Sequence, residues 1–438
     1  MQIENIIFIL IFVFAVSLFI INLRKIISNI KLGKDIDRSD NKRLRFRNMV
    51  RVAFGQSKMF NRPIAAFLHL LIYVGFVIIN IEVVEIIIDG IFGTHRFLAH
   101  IINENLYSFL IASFEILAFL VLFSCFAFLA RRNIIRIKRF FGNEMTSWPK
   151  TDANLILIFE ILLMFAFILM NTSDQILQSR NIDHYITAGA FPISSLIVPF
   201  LDHLTTSNLI FIERFTWWFH ILGILAFLNY VLISKHLHIF FAFPSTYYAN
   251  LNKLGKFDNL DSVTNEVKLM LDPNADPFAA PQNQNQSTVS LFGAKDATDL
   301  NWVQLLNSYS CTECGRCSSV CPANQTGKLL SPRKIMMDTR DRIEEIGKLK
   351  DKKDNKSLLG DYVTKEELWA CTTCNACTDA CPINLDPLSI IVDLRRYLVM
   401  EESAAPTELN NMFSNVENNG APWQFPAADR LKWLDENN

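Results

Sequence analysis

The amino-acid sequence predicts an all-α protein in which a bundle of five transmembrane helices precedes a soluble helical domain. Three observations support this prediction. Hydrophobic residues make up 51% of the 438 positions and charged residues 19%, and the apolar residues are concentrated in the first 240 positions. Five apolar runs are long enough to cross a bilayer, which takes about 20 residues. Eight of the nine cysteines lie in two similar loops much later in the chain.

The five apolar runs all precede Phe243. They cover approximately Ile3–Ile21, Pro63–Asp89, Leu106–Ala130, Asn154–Met170 and Asn208–Ser234. The first run is not expected to be a cleaved signal peptide, because its leading residues Met-Gln-Ile-Glu-Asn carry no positive charge and no small-x-small cleavage site follows. We therefore count it as a membrane helix.

Basic residues are distributed unequally between the loops. Ten Lys and Arg residues lie between Arg24 and Arg51 and five between Arg131 and Arg139, whereas the loops 90–104 and 172–207 each contain one Arg. Because cytoplasmic loops carry the excess of Lys and Arg, the N-terminus is predicted outside and everything after the fifth run in the cytoplasm. The expected location is the bacterial cytoplasmic membrane, in a multi-pass arrangement.

The composition changes after Phe243, which suggests four segments. Residues 1–243 form the membrane bundle, and residues 244–300 form a linker with a short helix over Gly255–Leu271 and a Pro/Asn/Gln-rich stretch from Asp272. Residues 301–403 hold the cysteine loops, and residues 404–438 form a tail to which we assign no chemistry. The formal net charge of -1 gives no support for nucleic-acid binding.

The two cysteine loops have the same spacing, C-x2-C-x2-C-x3-C-Pro. The first cysteine loop, Cys311–Cys321, reads Cys-Thr-Glu-Cys-Gly-Arg-Cys-Ser-Ser-Val-Cys, and the second, Cys371–Cys381, reads Cys-Thr-Thr-Cys-Asn-Ala-Cys-Thr-Asp-Ala-Cys. This spacing is typical of [4Fe–4S] ligands in a reducing compartment. A pair of zinc sites is the alternative, although zinc motifs usually present two separated C-x2-C pairs.

With two such loops, the fourth cysteine of each normally serves the cluster of the other loop. The predicted ligands of one cluster are Cys311, Cys314, Cys317 and Cys381, and those of the other are Cys371, Cys374, Cys377 and Cys321. Forty-nine residues separate the loops, more than in a small bacterial ferredoxin. In this respect the region resembles the α-helical ferredoxin module of succinate dehydrogenase iron–sulfur subunits and of heterodisulfide reductase.

Three histidines lie in or next to the apolar runs, where ionisable side chains usually have a function. His69 belongs to the second run, and His220 and His238 belong to the fifth run and its end. On one continuous helix, the latter two would share a face about 27 Å apart, with His236 pointing away. Such a pair is suited to two stacked haems that have their second ligands on a facing helix.

The motifs Phe67-Leu-His69-Leu, Phe219-His220-Ile-Leu-Gly and Leu237-His238-Ile resemble the cytochrome b subunit of respiratory nitrate reductase and the membrane subunit of heterodisulfide reductase. The resemblance implies a haem b held by His69 and His238 on the cytoplasmic side. Two-haem members have a second histidine about three turns after the first, where this chain has Gly75–Asn80 without one. An outer haem at His220 is therefore either absent or uses His100.

Acidic residues also enter the apolar runs, and Cys125 is a single cysteine among apolar residues. A desolvated carboxyl near a haem could accept the protons of a quinol. Snorkelling at helix ends and ion pairing, as between Glu213 and Arg214, are the simpler interpretations. The acidic residues are Glu82, Glu85, Glu115, Glu160 and Glu213. Cys125 is expected to be a packing residue.

No G-x-G-x-x-G, P-loop or C-C-G motif occurs in the sequence, so no site for a soluble substrate is evident. We predict an electron-transfer subunit that connects membrane quinone, haem b and two [4Fe–4S] clusters with a cytoplasmic partner that carries a C-C-G site or a flavin. The alternatives are a membrane-anchored redox sensor or scaffold without haem, and an oxidoreductase in which quinone reacts directly at a cluster.

Overall fold

The computed structural model describes residues 3–273, 291–352, 354–424 and 426–435, and these ranges contain many helices and no strand. The predicted all-α class is therefore confirmed. The first part of the chain forms α1 Ile3–Ile30, α2 Lys42–Met49, α3 Pro63–Phe92, α4 Glu104–Asn133, α5 Ser147–Ser179, α6 Val198–Leu201, α7 Thr206–Tyr230 and α8 His238–Tyr247.

Five helices are long and apolar enough to cross a membrane, as predicted: α1, α3, α4, α5 and the segment Thr206–Ile233 that contains α7. They extend beyond the apolar runs because local caps outside these runs start them. Pro63 occupies the first turn of α3, and the Asn103 and Thr205 side chains accept hydrogen bonds from backbone N–H groups at the starts of α4 and α7.

The predicted continuous helix through His220 and His238 is wrong. Helix α7 ends at Tyr230, two 3₁₀ turns follow over Val231–Ile233 and Lys235–Leu237, and α8 begins at His238. Between the turns, Ser234 is extended, and its hydroxyl accepts a hydrogen bond from the His236 N–H. A serine side chain that bonds nearby backbone competes with the helix in this way.

The second part of the chain is a compact set of shorter helices. It comprises α9 Asp261–Leu271, α10 Trp302–Ser310, α11 Arg316–Val320, α12 Pro322–Gln325, α13 Pro332–Lys348, α14 Lys365–Trp369, α15 Ala376–Ala380, α16 Pro387–Met400, α17 Thr407–Asn419 and α18 Lys432–Asp435. The predicted short helix of the linker is α9. Most of the predicted Pro/Asn/Gln-rich stretch lies outside the described residues.

One apolar core joins the membrane bundle to the helices that carry the cysteine loops. Ile26 and Ile30 of α1 are buried in the same cluster as Leu305 of α10. Beside them, the backbone of Lys34 exchanges hydrogen bonds with the other half of the chain, at 2.8 Å to the Leu300 carbonyl and 3.0 Å from the Trp302 N–H. We call the helix ends at this junction the proximal end of the bundle, and the opposite ends the distal end.

A buried ion pair fixes the junction on its other side. Arg333 of α13 contacts Glu144, in the loop before α5, at 2.7 Å, and the two side chains are 2% and 8% exposed. Arg333 also donates a hydrogen bond to the Arg139 carbonyl at 2.7 Å. A buried charge that loses its partner destabilises a protein strongly, since the remaining ion stays away from water.

We expect Arg333→Ala to lower the free energy of unfolding by about 3–5 kcal/mol, because Glu144 would remain buried without a partner. Lys356→Ala is the matched control. Its partner Glu345 is also 2.7 Å away, but the two side chains are 53% and 33% exposed, and such a pair contributes about 0.2–1 kcal/mol. Denaturant titration of the purified protein in detergent measures both. Equal losses in the two variants would contradict the role assigned to Arg333.

Candidate metal centres

The two cysteine loops fold in the same way at positions sixty residues apart. Each loop is followed by a short helix, α11 or α15, that begins five residues after the first cysteine. The third and fifth residues of each loop have left-handed backbone conformations, with φ values of 53° at Glu313, 69° at Gly315, 54° at Thr373 and 60° at Asn375. Alternation of right- and left-handed residues turns backbone N–H groups toward one side, as in many iron–sulfur sites.

The fourth cysteine of each loop lies beside the other loop. Burial raises the pKa of Cys311 to about 12 and that of Cys317 well above its ordinary value, and charge on Cys381 raises both further. In the second loop, burial raises the pKa of Cys371, with charge on Cys321 as a further cause. The structure thus brings together Cys381 with the first loop and Cys321 with the second, which are the two predicted crossings.

The donor set fits iron–sulfur clusters better than single zinc ions. Among the described residues, which include all nine cysteines, no three His, Cys, Asp or Glu side chains converge on one ion. Two sulfurs accept backbone hydrogen bonds, Cys371 from the Thr373 N–H at 3.4 Å and Cys381 from the Leu385 N–H at 3.3 Å. Buried thiols become thiolates when metal cations replace their protons, and N–H groups that face the sulfurs stabilise that charge.

Cationic side chains surround both loops. Lys58 donates hydrogen bonds to the Thr378 carbonyl and to Asn384 beside the second loop, at 3.4 and 2.9 Å. Arg316 of the first loop donates to the Lys58 carbonyl at 3.2 Å, and Arg395 donates to the Cys371 carbonyl at 2.5 Å. Thiolates are negative, so these cations offset their charge.

The two loops differ in exposure. Cys311 is buried and Cys314 and Cys317 are half-buried, because the membrane half of the chain covers the first loop. In the second loop Cys374 is exposed. The second loop is therefore the one that faces solvent at the proximal end.

His69 and His238 face each other across the proximal end of the bundle, with ring centroids 6.4 Å apart. This separation is compatible with one metal ion between the rings, since a metal–imidazole bond is about 2 Å long. The Nδ1 atom of His69 donates to Gln56 Oε1 at 3.1 Å, and that of His238 donates to the Lys235 carbonyl at 3.1 Å. Both Nε2 atoms are then left for a metal, the usual arrangement of ligating histidines.

His236 and His220 occupy other environments. Because the helix is interrupted after Tyr230, the His236 ring lies 5.3 Å from that of His238 instead of pointing away, as was wrongly predicted. His220 is buried, with Nδ1 bonded to the Leu163 carbonyl at 3.0 Å and its ring against Phe167. His100 is an exposed residue of the turn Phe97–His100. An outer haem at His220 stays a prediction.

Each of the two facing histidines is one residue away from a cysteine loop. Lys235, which accepts the hydrogen bond of His238, forms an ion pair with Glu313 of the first loop at 2.6 Å. Gln56, which accepts that of His69, lies two positions before Lys58, the residue that contacts both loops. The histidine pair and the cysteine loops are thus held by the same short segments.

The comparison with known proteins gives a consistent result. Residues 307–385 match the family model of the 4Fe-4S dicluster domain. Over 98% of its length the chain is 28% identical to the probable iron-sulfur-binding oxidoreductase FadF of Bacillus subtilis, and over 92% it is 26% identical to the EtfAB:quinone oxidoreductase of Syntrophomonas wolfei. It spans 60% and 55% of the length of these two relatives.

A shorter match covers 23% of the chain, which is 34% identical there to one component of a CoB-CoM heterodisulfide reductase from Methanosarcina acetivorans and spans 52% of that component. No solved structure matches. The predicted iron–sulfur domain, the membrane-type helices and an electron-transfer role are confirmed at this level. The number of clusters, the haem and the quinone stay predictions.

Several residues of the site escaped prediction from the sequence. Gln56 and Lys58 lie in a polar segment without a motif, and their partners are distant in the chain. For Gly315 and Asn375 a signal was present, because both stand directly after the second cysteine of their loops. Glycine and asparagine are the residues that most readily adopt the left-handed conformation.

We expect Cys381→Ser and Cys311→Ser to remove the same cluster, and Cys321→Ser and Cys371→Ser to remove the other. Each variant should lose about half of the protein-bound iron, because the two ligand sets are separate. Iron analysis and electron paramagnetic resonance of the reduced protein measure the loss. Cys125→Ser is the control without effect on iron. If Cys381→Ser instead matched the spectrum of Cys371→Ser, the crossed assignment would be incorrect.

Proposed function

We propose that this protein is a membrane-bound electron-transfer subunit that passes electrons between the quinone pool and a cytoplasmic oxidoreductase. The positive-inside distribution of Lys and Arg supports an orientation in which the proximal end and the cysteine loops are in the cytoplasm and the N-terminus is outside. The relative named EtfAB:quinone oxidoreductase, which matches over 92% of the chain, supports quinone as the membrane substrate.

The observation that carries the proposal is the joint position of His69, His238 and the first cysteine loop. Lys235 binds the His238 ring through its carbonyl oxygen and Glu313 through its ammonium group. A redox group held by the two histidines and one held by the loop would therefore be neighbours with a fixed spacing. Such placement is what electron transfer needs and what a purely structural metal site does not.

In this proposal His69 and His238 are the axial ligands of one haem b. One [4Fe–4S] cluster is held by Cys311, Cys314, Cys317 and Cys381, and the other by Cys371, Cys374, Cys377 and Cys321. When bound, these groups supply one-electron oxidation and reduction between the membrane and the solvent side. Gln56 and the Lys235 carbonyl keep the two imidazoles in the tautomer whose Nε2 is free.

The exposed second loop is the side that we assign to the partner. Cys374 reaches the surface, whereas the first loop is covered by the membrane half. Electron transfer between proteins requires close approach, so a partner would dock over the second loop. The proposed partner is a flavin-containing oxidoreductase, in line with the EtfAB in the name of the Syntrophomonas relative, or a protein with a C-C-G site, in line with the heterodisulfide reductase relative.

The quinone is proposed to bind in an apolar groove of about 660 Å³ between α3 and α4. Phe67 and Leu68, the two residues before His69, line it, and Arg131 lies at its proximal end. Phe67 and Phe123 are each 57% exposed on the surface that the bilayer would cover. An isoprenoid tail would lie against these apolar side chains, and the guanidinium of Arg131 can donate hydrogen bonds to a quinone oxygen.

We expect His69→Ala and His238→Ala each to abolish the α-band of haem b in the dithionite-reduced spectrum, because a low-spin b-type haem needs both axial imidazoles. The matched control is His236→Ala, whose ring is 5.3 Å from that of His238 but which is not a proposed ligand. It should retain the band. Loss of the band in the control but not in His238→Ala would exchange the roles of the two residues.

The same preparations separate this function from its alternatives. Menadiol, a soluble quinol, is expected to reduce the haem of the wild-type protein and not that of a variant in which Arg131 is replaced by Leu. A protein that binds clusters but no haem, and whose clusters menadiol does not reduce, would be a sensor or scaffold. If His69→Ala kept full quinol activity, quinone would react at a cluster and the haem assignment would be wrong.

A further inference from the structure

The distal end of the bundle contains a polar cavity of about 480 Å³. The distal ends of α3, α5 and α7 surround it, together with the start of α1 and the turns that follow α3 and α5. Its acidic lining residues are Glu4, Glu82, Glu85, Asp89, Asp174 and Glu213, and its basic ones are His95, Arg96, His184 and Arg214. A polar space of this size can hold water. We call it the distal vestibule.

Most of these acidic side chains are already paired. Asp174 contacts Arg96 at 2.6 Å and His95 at 3.0 Å. Glu213 contacts Arg214 at 2.6 Å. Glu85 and Asp89 accept hydrogen bonds from the Tyr107 hydroxyl, the Thr94 hydroxyl and the backbone N–H groups of Arg96, Phe97 and Leu98. These groups are therefore explained as a structural network that closes the distal end.

Glu82 differs from them. Its side chain lines the vestibule, the residue is 3% exposed, and within the described part of the chain its Oε2 atom has no hydrogen-bond partner. The charged groups that face it are Arg96, Glu85, Glu115 and Asp174, and Arg96 is already paired with Asp174. An unpaired carboxylate inside a membrane bundle is costly, whereas a protonated carboxyl is not. Glu82 is thus placed to hold a proton next to water.

A second, smaller cavity of about 80 Å³ continues from Glu82 toward the proximal end. Asn80, Glu160 and His220 provide its polar lining, and Ile72 and Val83 mark its extent along α3. Ile72 is one helical turn from His69. The Nε2 atom of His220 is free for a proton, because Nδ1 is bonded to the Leu163 carbonyl. Polar groups and space therefore follow α3 from the distal end almost to the proposed haem ligand.

We propose that the distal vestibule and the Glu160–His220 cavity form a proton path from the distal aqueous phase to the quinone site, with Glu82 as its entry carboxyl. This inference rests on the proposed function. A quinone takes up two protons with two electrons when it is reduced and releases both when it is oxidised, so protons must move in either direction of electron flow. In this assignment His220 carries a proton and not a second haem.

The first test does not depend on quinone. The infrared spectrum of the protein in lipid vesicles is expected to contain the C=O stretching band of a protonated carboxyl that shifts after transfer to D₂O. Glu82→Gln should remove this band, and Glu104→Gln, which changes an exposed glutamate at the start of α4, should leave it in place. A spectrum of Glu82→Gln that still contained the full exchangeable band would overturn the assignment.

The second test follows proton movement. Stoichiometrically reduced protein, in vesicles with the distal end toward the lumen and a pH dye inside, is mixed with menadione. The wild type and Glu104→Gln should oxidise while the lumen becomes alkaline, and Glu82→Gln should oxidise about 100-fold more slowly with unchanged visible spectrum. Equal rates and equal luminal alkalinisation would exclude the path. If the wild type were not oxidised at all, the proposed function would fail, and the infrared test would still decide whether Glu82 holds the proton.

Discussion

The structure depends on the junction at which the helices of the cysteine loops dock onto the proximal end of the membrane bundle. An apolar core extends from α1 into α10, and backbone hydrogen bonds join Lys34 to Leu300 and Trp302. Gly33 permits this contact, because a Cβ atom there would lie 2.8 Å from the Trp302 nitrogen. Without this docking, the histidines and the cysteine loops would be two unrelated sites. With it, they share the residues that hold them.

The basic residues near the proximal end have two roles at once. Their distribution along the sequence predicts which loops face the cytoplasm. In the folded chain, residues of these loops also contact the cysteine loops: the Arg139 carbonyl accepts from Arg333, and Arg62 donates to Ser319 at 2.8 Å. Positive charge beside buried thiols favours the thiolate form that binds metal. Topology and metal chemistry therefore place the same demand on these segments.

The two ends of the bundle are chemically different. At the proximal end, two histidines face each other with their Nδ1 atoms occupied. At the distal end, paired charges enclose a water-sized space and leave one carboxyl oxygen of Glu82 without a partner among the described residues. The first arrangement suits a metal and the second suits a proton. A protein that couples electrons to quinone needs both, since quinone chemistry moves electrons and protons together.

The sequence by itself determined the helical class, the five membrane helices, the two cysteine loops and the crossing of Cys321 and Cys381, because spacing and hydropathy are local properties. It also identified His69 and His238. Only the tertiary structure decided that α7 ends at Tyr230, since this break depends on the Ser234 hydroxyl and on the Asp152 side chain that accepts from the Lys235 N–H. The supporting groups Gln56, Lys58 and Glu82 follow from contacts between distant segments, which no local pattern encodes.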